Sequence, residues 1–206
     1  NEGKLYLVTG GVRYPIEIAH AQAIVNVLDL SGRTITPVSA AWLNLFTEGS
    51  TLAPVDIPNL GRPVSGMSPR ITAAQVGTII EVDESGTPRR YVITDDGTIT
   101  PLTDFSYKLY QASWADRGSP QNLIIDLSEL ASLTVNNQGV IPSDWPSQVG
   151  EVLGADAAPC AQLVVNHSKA ETVLKSIPTS ELAQLHPREV NVRGGSGALV
   201  RSSSGG

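Results

Sequence analysis

The residues best equipped for chemistry are three histidines, two carboxylate pairs and one cysteine. His20, His167 and His186 are far apart, and none belongs to an H-E-x-x-H or H-x-x-x-H set. The spacing that would put two imidazoles on one helix face around zinc is therefore absent. His20 falls within a helical pattern and reads as a packed or surface residue. Asp83-Glu84 and Asp95-Asp96 could share acid–base work, but both lie in turns between strand-like runs. There an Asp serves by bonding to nearby backbone, and a solvated turn tip does not suit a general acid. Phosphate chemistry has no foothold, because there is no G-x-x-x-x-G-K-[ST]. The glycines of "TGGVRYP" lead into a strand, whereas a phosphate cradle opens a helix. No G-x-S-x-G elbow occurs, and "GGSG" at Gly194–Gly197 reads as linker. The "NHS" at Asn166–Ser168 has the form of a glycosylation acceptor, a three-residue pattern too common to carry weight. No catalytic residue, metal site or cofactor is expected.

Cys160 is the only cysteine. A lone cysteine excludes an internal disulfide framework and a Cys-rich zinc site. It reads either as a small buried side chain or as half of a disulfide whose partner lies outside this sequence. Trp42 sits on a helical face and reads as core. Trp114 and Trp145 stand in irregular stretches, as interface anchors or as packing between modules.

The elements that would position these residues are written twice. "KLYLVTGGVRYPI" (Lys4–Ile16) and "RYVITDDGTITPL" (Arg90–Leu102) share an order of residues. Tyr6 and Thr9 match Tyr91 and Thr94 at an offset of 85; Pro15 matches Pro101 at 86. One residue has been gained in the turn, where loops tolerate insertion. Gly11 and Gly97 supply the turn glycines. Each hairpin is followed by a helical pattern: Ile18, Ala21, Val25 and Leu28 in the first copy, Phe105, Leu109 and Ala112 in the second. Thr103 or Asp104 caps the second helix. A further strand, "GTIIEVDESG" (Gly77–Gly86), precedes the second hairpin. Between the copies, Val38, Trp42, Leu45 and Phe46 define another helical face, with Pro37 in its first turn and Gly49 at its stop.

The expected fold class is α+β, with β-hairpin-plus-helix repeat modules attached to a central mixed α/β domain. Residues 1–50 form the first repeat module, 51–76 an irregular connector and 77–115 the second repeat module. Residues 116–192 form the central module, in which "NLIIDL" and "AQLVV" read as buried strands and "SELAQLHPREV" as a helix. Residues 193–206, ending "GALVRSSSGG", resemble the lead-in to the second hairpin and read as the start of a third, truncated repeat. One such unit cannot bury its own helix face, so copies must pack on one another or on a central layer.

Composition narrows the function. The chain has 206 residues, a formal charge of −6, 19 glycines and 14 prolines. Nucleic-acid binding needs clustered Lys and Arg, which are missing. There is no transmembrane run and no basic amphipathic helix of the membrane-surface kind.

The order of these motifs resembles the EccB family, the membrane-anchored core component of the actinobacterial type VII (ESX) secretion machine. That family carries repeated "LYLVTdxGvrYPv" hairpins, each followed by a helix. Its helix-and-connector continuation is similar to "TPVSAAWLNLFTEGSTLAPVDIPNLGRPV". This sequence departs from the pattern at Gly10-Gly11 and at "LFTEGS". The resemblance implies an extracytoplasmic, periplasmic-side fragment of a protein anchored by one N-terminal helix that this sequence lacks. It also implies partners: other EccB subunits, the EccC, EccD and EccE components, and a mycosin protease. It implies a disulfide from Cys160 to a cysteine later in the chain. Some members are described as ATPases, which the missing phosphate loop puts in doubt here.

The reading is a structural protein that assembles a secretion complex through packed hairpin–helix faces. The alternative is a cell-wall module gripping peptidoglycan through Tyr14, Tyr107, Tyr110 and Trp114. A nucleotide hydrolase ranks third.

Overall fold

The computed structural model describes residues 4–182 apart from 34, 65–66, 68–70, 72–73, 85, 115–117, 138, 149, 151, 155 and 167–168. Strands β1 (Tyr6–Thr9) and β2 (Val12–Pro15) pair antiparallel, with Thr9 opposite Val12 across the turn. Gly10 and Gly11 both have positive φ, 57° and 76°. That backbone twist matches the twist of the strands, and it is why two glycines stand there. A short 3-10 turn (Ile18–His20) then leads into α1 (Ala21–Val27).

The buried face of α1 differs from the expected one. Ile24 and Leu28 are buried with Ala21 and Val27 beside them, whereas Ile18 is 60% exposed. The cause is the entry turn: three residues per turn instead of 3.6 shifts the phase, rotating Ile18 outward and bringing Ile24 in where Val25 was expected.

The expected second helix also shrinks to one turn, α2 (Ala40–Leu43), capped by the Ser39 hydroxyl. Val38 and Leu45 are exposed and only Phe46 of that face is buried. The chain leaves the helix to form β3 (Thr47–Glu48), which pairs parallel to β2. Gly49 is not a helix stop. Any Cβ there would lie 2.5 Å from the Tyr14 ring, so the position serves close packing. The described residues of 51–76 form no named strand or helix, yet Leu52, Val55, Ile57, Ile71, Ala74 and Val76 are all buried. The connector therefore furnishes much of the core.

The second module is a four-stranded sheet. Strands β4 (Ile79–Glu84), β5 (Thr87–Ile93), β6 (Ile99–Leu102) and β7 (Asn122–Ile125) lie in the order β6-β5-β4-β7. Helix α3 (Asp104–Ala112) follows β6 and opens on a capping box between Thr103 and Ser106. The two hairpins are the same object in detail. Tyr6 lies opposite Pro15 and Tyr91 opposite Pro101; Leu7 faces Tyr14 and Val92 faces Thr100. The extra residue of the second copy is absorbed in the turn, and Pro101 sits on the edge strand, where a missing N–H costs least.

The helices bury each other. Ile24 and Leu28 join Phe105, Leu109 and Tyr110, together with Tyr14, Ile16, Leu52, Val92 and Leu102, in one continuous core. A second core, on the opposite face of the sheet, gathers Ile80, Val82, Tyr91, Ile93, Ile99 and Ile125 with Ile71 and Ala74 of the connector. Neighbouring residues of β4 and β5 thus feed different cores, as the two-residue period requires.

The architecture is α+β, as expected, and described residues between 118 and 148 join the sheet and cores of the earlier elements. β7 runs parallel to β4 and completes the second module's sheet. As an edge strand it buries Ile125 and leaves Ile124 78% exposed, so "NLIIDL" is only half-buried. A one-turn helix α4 (Leu127–Leu130) follows. Leu130, Leu133, Ile141 and Trp145 pack onto the two existing cores. Strands β8 (Ala157–Asn166) and β9 (Lys169–Pro178) make a two-stranded ribbon ending in α5 (Thr179–Leu182). Leu163 and Val165 are exposed there, against the buried strand expected for "AQLVV", because no third strand joins them among the described residues. The continuation of the "SELAQLHPREV" helix and the third repeat at 193–206 lie outside the described residues.

Gly11 has a second duty, since a Cβ on it would lie 2.8 Å from the Thr172 carbonyl of β9. Gly10, with a similar φ, faces open space. Replacing Gly10 with Ala should cost about 1 kcal/mol for the left-handed backbone. Gly11→Ala should cost measurably more in urea unfolding, because the ribbon must also move away; equal losses would place the ribbon elsewhere.

Candidate functional site

Long-range polar contacts concentrate where the two modules meet. The Tyr14 hydroxyl donates to the Asp144 carbonyl at 2.6 Å. The Ser50 amide donates to the Asp144 carboxylate at 2.7 Å. On the second module, the Phe105 amide donates to the Ser147 carbonyl at 3.1 Å. That amide belongs to the first turn of α3, one of the orphan donors of a helix start. The Trp145 ring lies edge-on to Phe105, centroids 6.2 Å apart. Trp145 therefore packs between modules, the second of its two sequence readings. Lys108 of α3 pairs with Asp29, just past the end of α1.

Two of the four proposed contact aromatics prove to be core. Tyr110 is fully buried and its hydroxyl donates to the Gly77 carbonyl at 2.5 Å. Gly77, at φ 89°, leaves no room for a Cβ beside Leu60 and Tyr110. Burial pushes the Tyr110 phenol up to about 12, with the Trp114 indole pulling weakly the other way. Tyr14, 4% exposed, is raised by burial and then by the negative charge of Asp144. Both phenols stay protonated donors holding the fold, and neither offers a face to a ligand. Trp114 is half-buried against Tyr110, ring to ring at 6.3 Å. Tyr107 alone of the four lies along an open cleft.

That cleft, about 390 Å³, is bordered by Arg90, Asp104, Tyr107, Lys108, Gln111 and Gln148. The Arg90 guanidinium lies 4.6 Å above the Tyr107 ring. Its Nε reaches Glu81 at 3.2 Å and its Nη1 reaches Asp104 at 3.3 Å. Gln111 Nε2 donates to the Tyr107 hydroxyl at 3.2 Å. Both carboxylates are occupied by a guanidinium that cannot give up its charge. The arrangement fits a pre-ordered recognition surface better than acid–base chemistry.

The repeat-defining residues are structural. Thr94 is buried, and its hydroxyl and Thr98 bond to the Asp96 carboxylate at 2.7–3.1 Å across the turn at Gly97. The Thr94 hydroxyl foremost, then the Thr98 amide and hydroxyl, hold the Asp96 carboxyl below its usual range. Asp83 likewise accepts from the Gly86 amide at 2.7 Å. Of the two acidic pairs, only Asp95-Asp96 lies in a turn: against expectation, Asp83 and Glu84 are the last residues of β4, paired with Pro88 and Thr87 in the ladder. Tyr91 is buried, Tyr6 and Thr9 half-buried, and Pro15 and Pro101 occupy equivalent ladder positions. His20 is exposed, 3.9 Å from Glu17. Cys160 is a free, half-buried thiol in β8, opposite Lys175. Among the described residues, no three His, Cys, Asp or Glu side chains converge as metal ligands, and no helix is long and apolar enough to cross a membrane.

Sequence reading missed Asp144 and Ser50, which meet across 94 residues of chain, and Arg90, whose partners Glu81 and Asp104 lie 9 and 14 residues away on neighbouring elements. Only Trp145, an aromatic in an irregular stretch, signalled that the 142–148 segment had a packing role. Asp144 gives the contact a pH dependence. Burial raises its carboxyl, but the Ser50 backbone and side-chain hydrogen bonds outweigh that, so the net direction is down. Its stabilisation is therefore fully present above the ordinary value of 3.8 and is lost as pH falls through the lower folded value. Asp144→Ala should cost about 1 kcal/mol at neutral pH, the exposed side chain being screened by water. The gap to the unaltered protein should close on acidification; a gap independent of pH would remove the carboxylate from the contact.

Comparison with known proteins agrees with the hairpins and their order. A family model described as "Type VII secretion system ESX-1, transport TM domain B", of the EccB component, matches residues 1–206. No curated protein sequence matches. Solved structures share the fold, among them the following three. One is described as an intact ESX-5 inner membrane complex: TM-score 0.63, 20% identity, 93% of this chain and 41% of that one. Another is the periplasmic assembly of the ESX-5 inner membrane complex: TM-score 0.62, 20% identity, 92% and 48%. A third is an EccB3 dimer from the ESX-3 core complex: TM-score 0.63, 19% identity, 84% and 44%. The chain thus spans less than half the length of these relatives. With its paired hairpin–helix repeats matched end to end by the family model, the chain belongs to the EccB family of type VII secretion components.

Proposed function

We propose that this chain is an extracytoplasmic scaffold of a type VII secretion complex, acting by recognition without a bond-making step. The observation that carries the reading is the ordered surface around α3. Arg90 is held by Tyr107, Glu81 and Asp104 on a rigid sheet and helix. An arginine and a tyrosine already fixed in place lose little entropy on binding, and these residue types dominate protein interfaces. The neighbours are other EccB subunits and the EccC, EccD and EccE components, with a mycosin protease nearby. Contacts between EccB subunits are supported by a relative described as a dimer, and a membrane-complex setting by one described as an inner membrane complex. EccC, EccD, EccE and the mycosin are carried over from the family resemblance. The periplasmic side is supported by a relative described as a periplasmic assembly. The family resemblance adds one N-terminal membrane helix ahead of this segment and a later cysteine as partner for Cys160.

A peptidoglycan-gripping surface loses support from the burial of Tyr14 and Tyr110, half of its aromatic set.

The test is pull-down of the secretion complex with full-length protein carrying Tyr107→Ala or Arg90→Ala. A contact of this kind should lose about 2 kcal/mol, at least tenfold in affinity. Exposed Gln148→Ala should lose much less. Unchanged co-purification with both variants would reject this face, and a monomer that never joins the complex would reject the scaffold.

A further inference from the structure

The segment 142–148 reaches both modules without regular secondary structure. It turns on itself through the Trp145 amide and the Pro142 carbonyl, 3.2 Å apart. It is fastened to the first module by Tyr14 and Ser50, both on Asp144. It is fastened to the second by the Phe105 amide on Ser147 and by Trp145 against the Phe105 ring. Two features mark this attachment as detachable. The indole N–H of Trp145 is buried with no acceptor, so closing the segment strips water from a donor and gives nothing in return. Of the hydrogen bonds, the one from the Ser50 amide to the Asp144 carboxylate is exposed, where water competes directly. The Tyr14–Asp144 and Phe105–Ser147 bonds are each a single contact to an irregular segment. The contact between α1 and α3 is of another kind, made by fully buried Ile24, Phe105, Leu109 and Tyr110.

We infer that residues 142–148 form a strap that opens as one unit while both modules stay folded, freeing the Tyr14 hydroxyl and the Ser50 and Phe105 amides together. Closed, the strap fixes the position of one module on the other. Open, it leaves the α1–α3 contact as the hinge and uncovers the Tyr14–Phe105 side of the seam. The strap is a mechanical property of the chain, and it holds whichever partner the α3 face meets.

Native-state amide exchange on the 206-residue chain tests it. The Ser50 and Phe105 amides should exchange at a common rate, at least tenfold faster than Ile93, whose amide bonds to the Thr78 carbonyl inside the sheet. Trp145→Ala should speed both by the same factor, again tenfold or more, with Ile93 unchanged. Asp144→Asn, a milder change, should speed both in the same direction and serves if Trp145→Ala does not fold. Exchange of Ser50 and Phe105 at the rate of Ile93 would mean that the strap opens only on global unfolding. Unequal rates would mean that it is not a unit. Either result overturns the inference.

Discussion

A hairpin followed by one helix has an apolar stripe and no layer of its own to cover it. The mutual burial of α1 and α3 is the answer this chain has found, and the rest of the structure follows from it. In a linear solenoid each unit would offer a face to the next copy on either side. Here the two helix faces close on each other, so the duplicated units form a pair with one core. The connector then becomes a core element, because Leu52, Val55 and Ile57 fill the space between the paired units. The far side of the second sheet needs its own cover, supplied by Ile71, Ala74 and residues after β7.

Much of this was legible from residues that act locally. Gly10-Gly11 announced a tight turn, the alternation in "GTIIEVDESG" a strand, and Thr103 or Asp104 a helix start. Matching Tyr and Pro at offsets of 85 and 86 anticipated the shared register, including the residue gained in the turn. The misreadings have physical causes. A 3-10 turn shifted the phase of α1, which a 3.6-residue period cannot foresee. Pairing of Thr47–Glu48 with β2 cut α2 to one turn and left Leu45 outside. The partner of "NLII" is β4, some forty residues earlier in the chain, so no local pattern could place it at a sheet edge. The contacts of Asp144 to Tyr14 and Ser50 span 130 and 94 residues and left no local trace.

The same contrast separates the fixed from the adjustable parts. Tyr110 on Gly77 and Thr94 on Asp96 are satisfied, short-range or deeply buried, and hold single elements in shape. The 142–148 segment ties the paired units with a few single hydrogen bonds, one of them exposed, and an unsatisfied indole. Arg90 stands between these extremes, outside the core yet immobilised by an aromatic ring and two carboxylates. The proposed scaffold role would draw on both properties, a rigid face for neighbours and a limited freedom in how the units are set.

A double-mutant cycle across the helix pair reaches the central claim most directly, with Ile24→Ala in α1, Leu109→Ala in α3 and both together. If one core joins the units, the first truncation loosens the packing that the second removes. The unfolding free energies should then miss additivity by about 1 kcal/mol or more. Losses that add within about 0.5 kcal/mol would describe two independent units that merely touch, and would contradict the shared core.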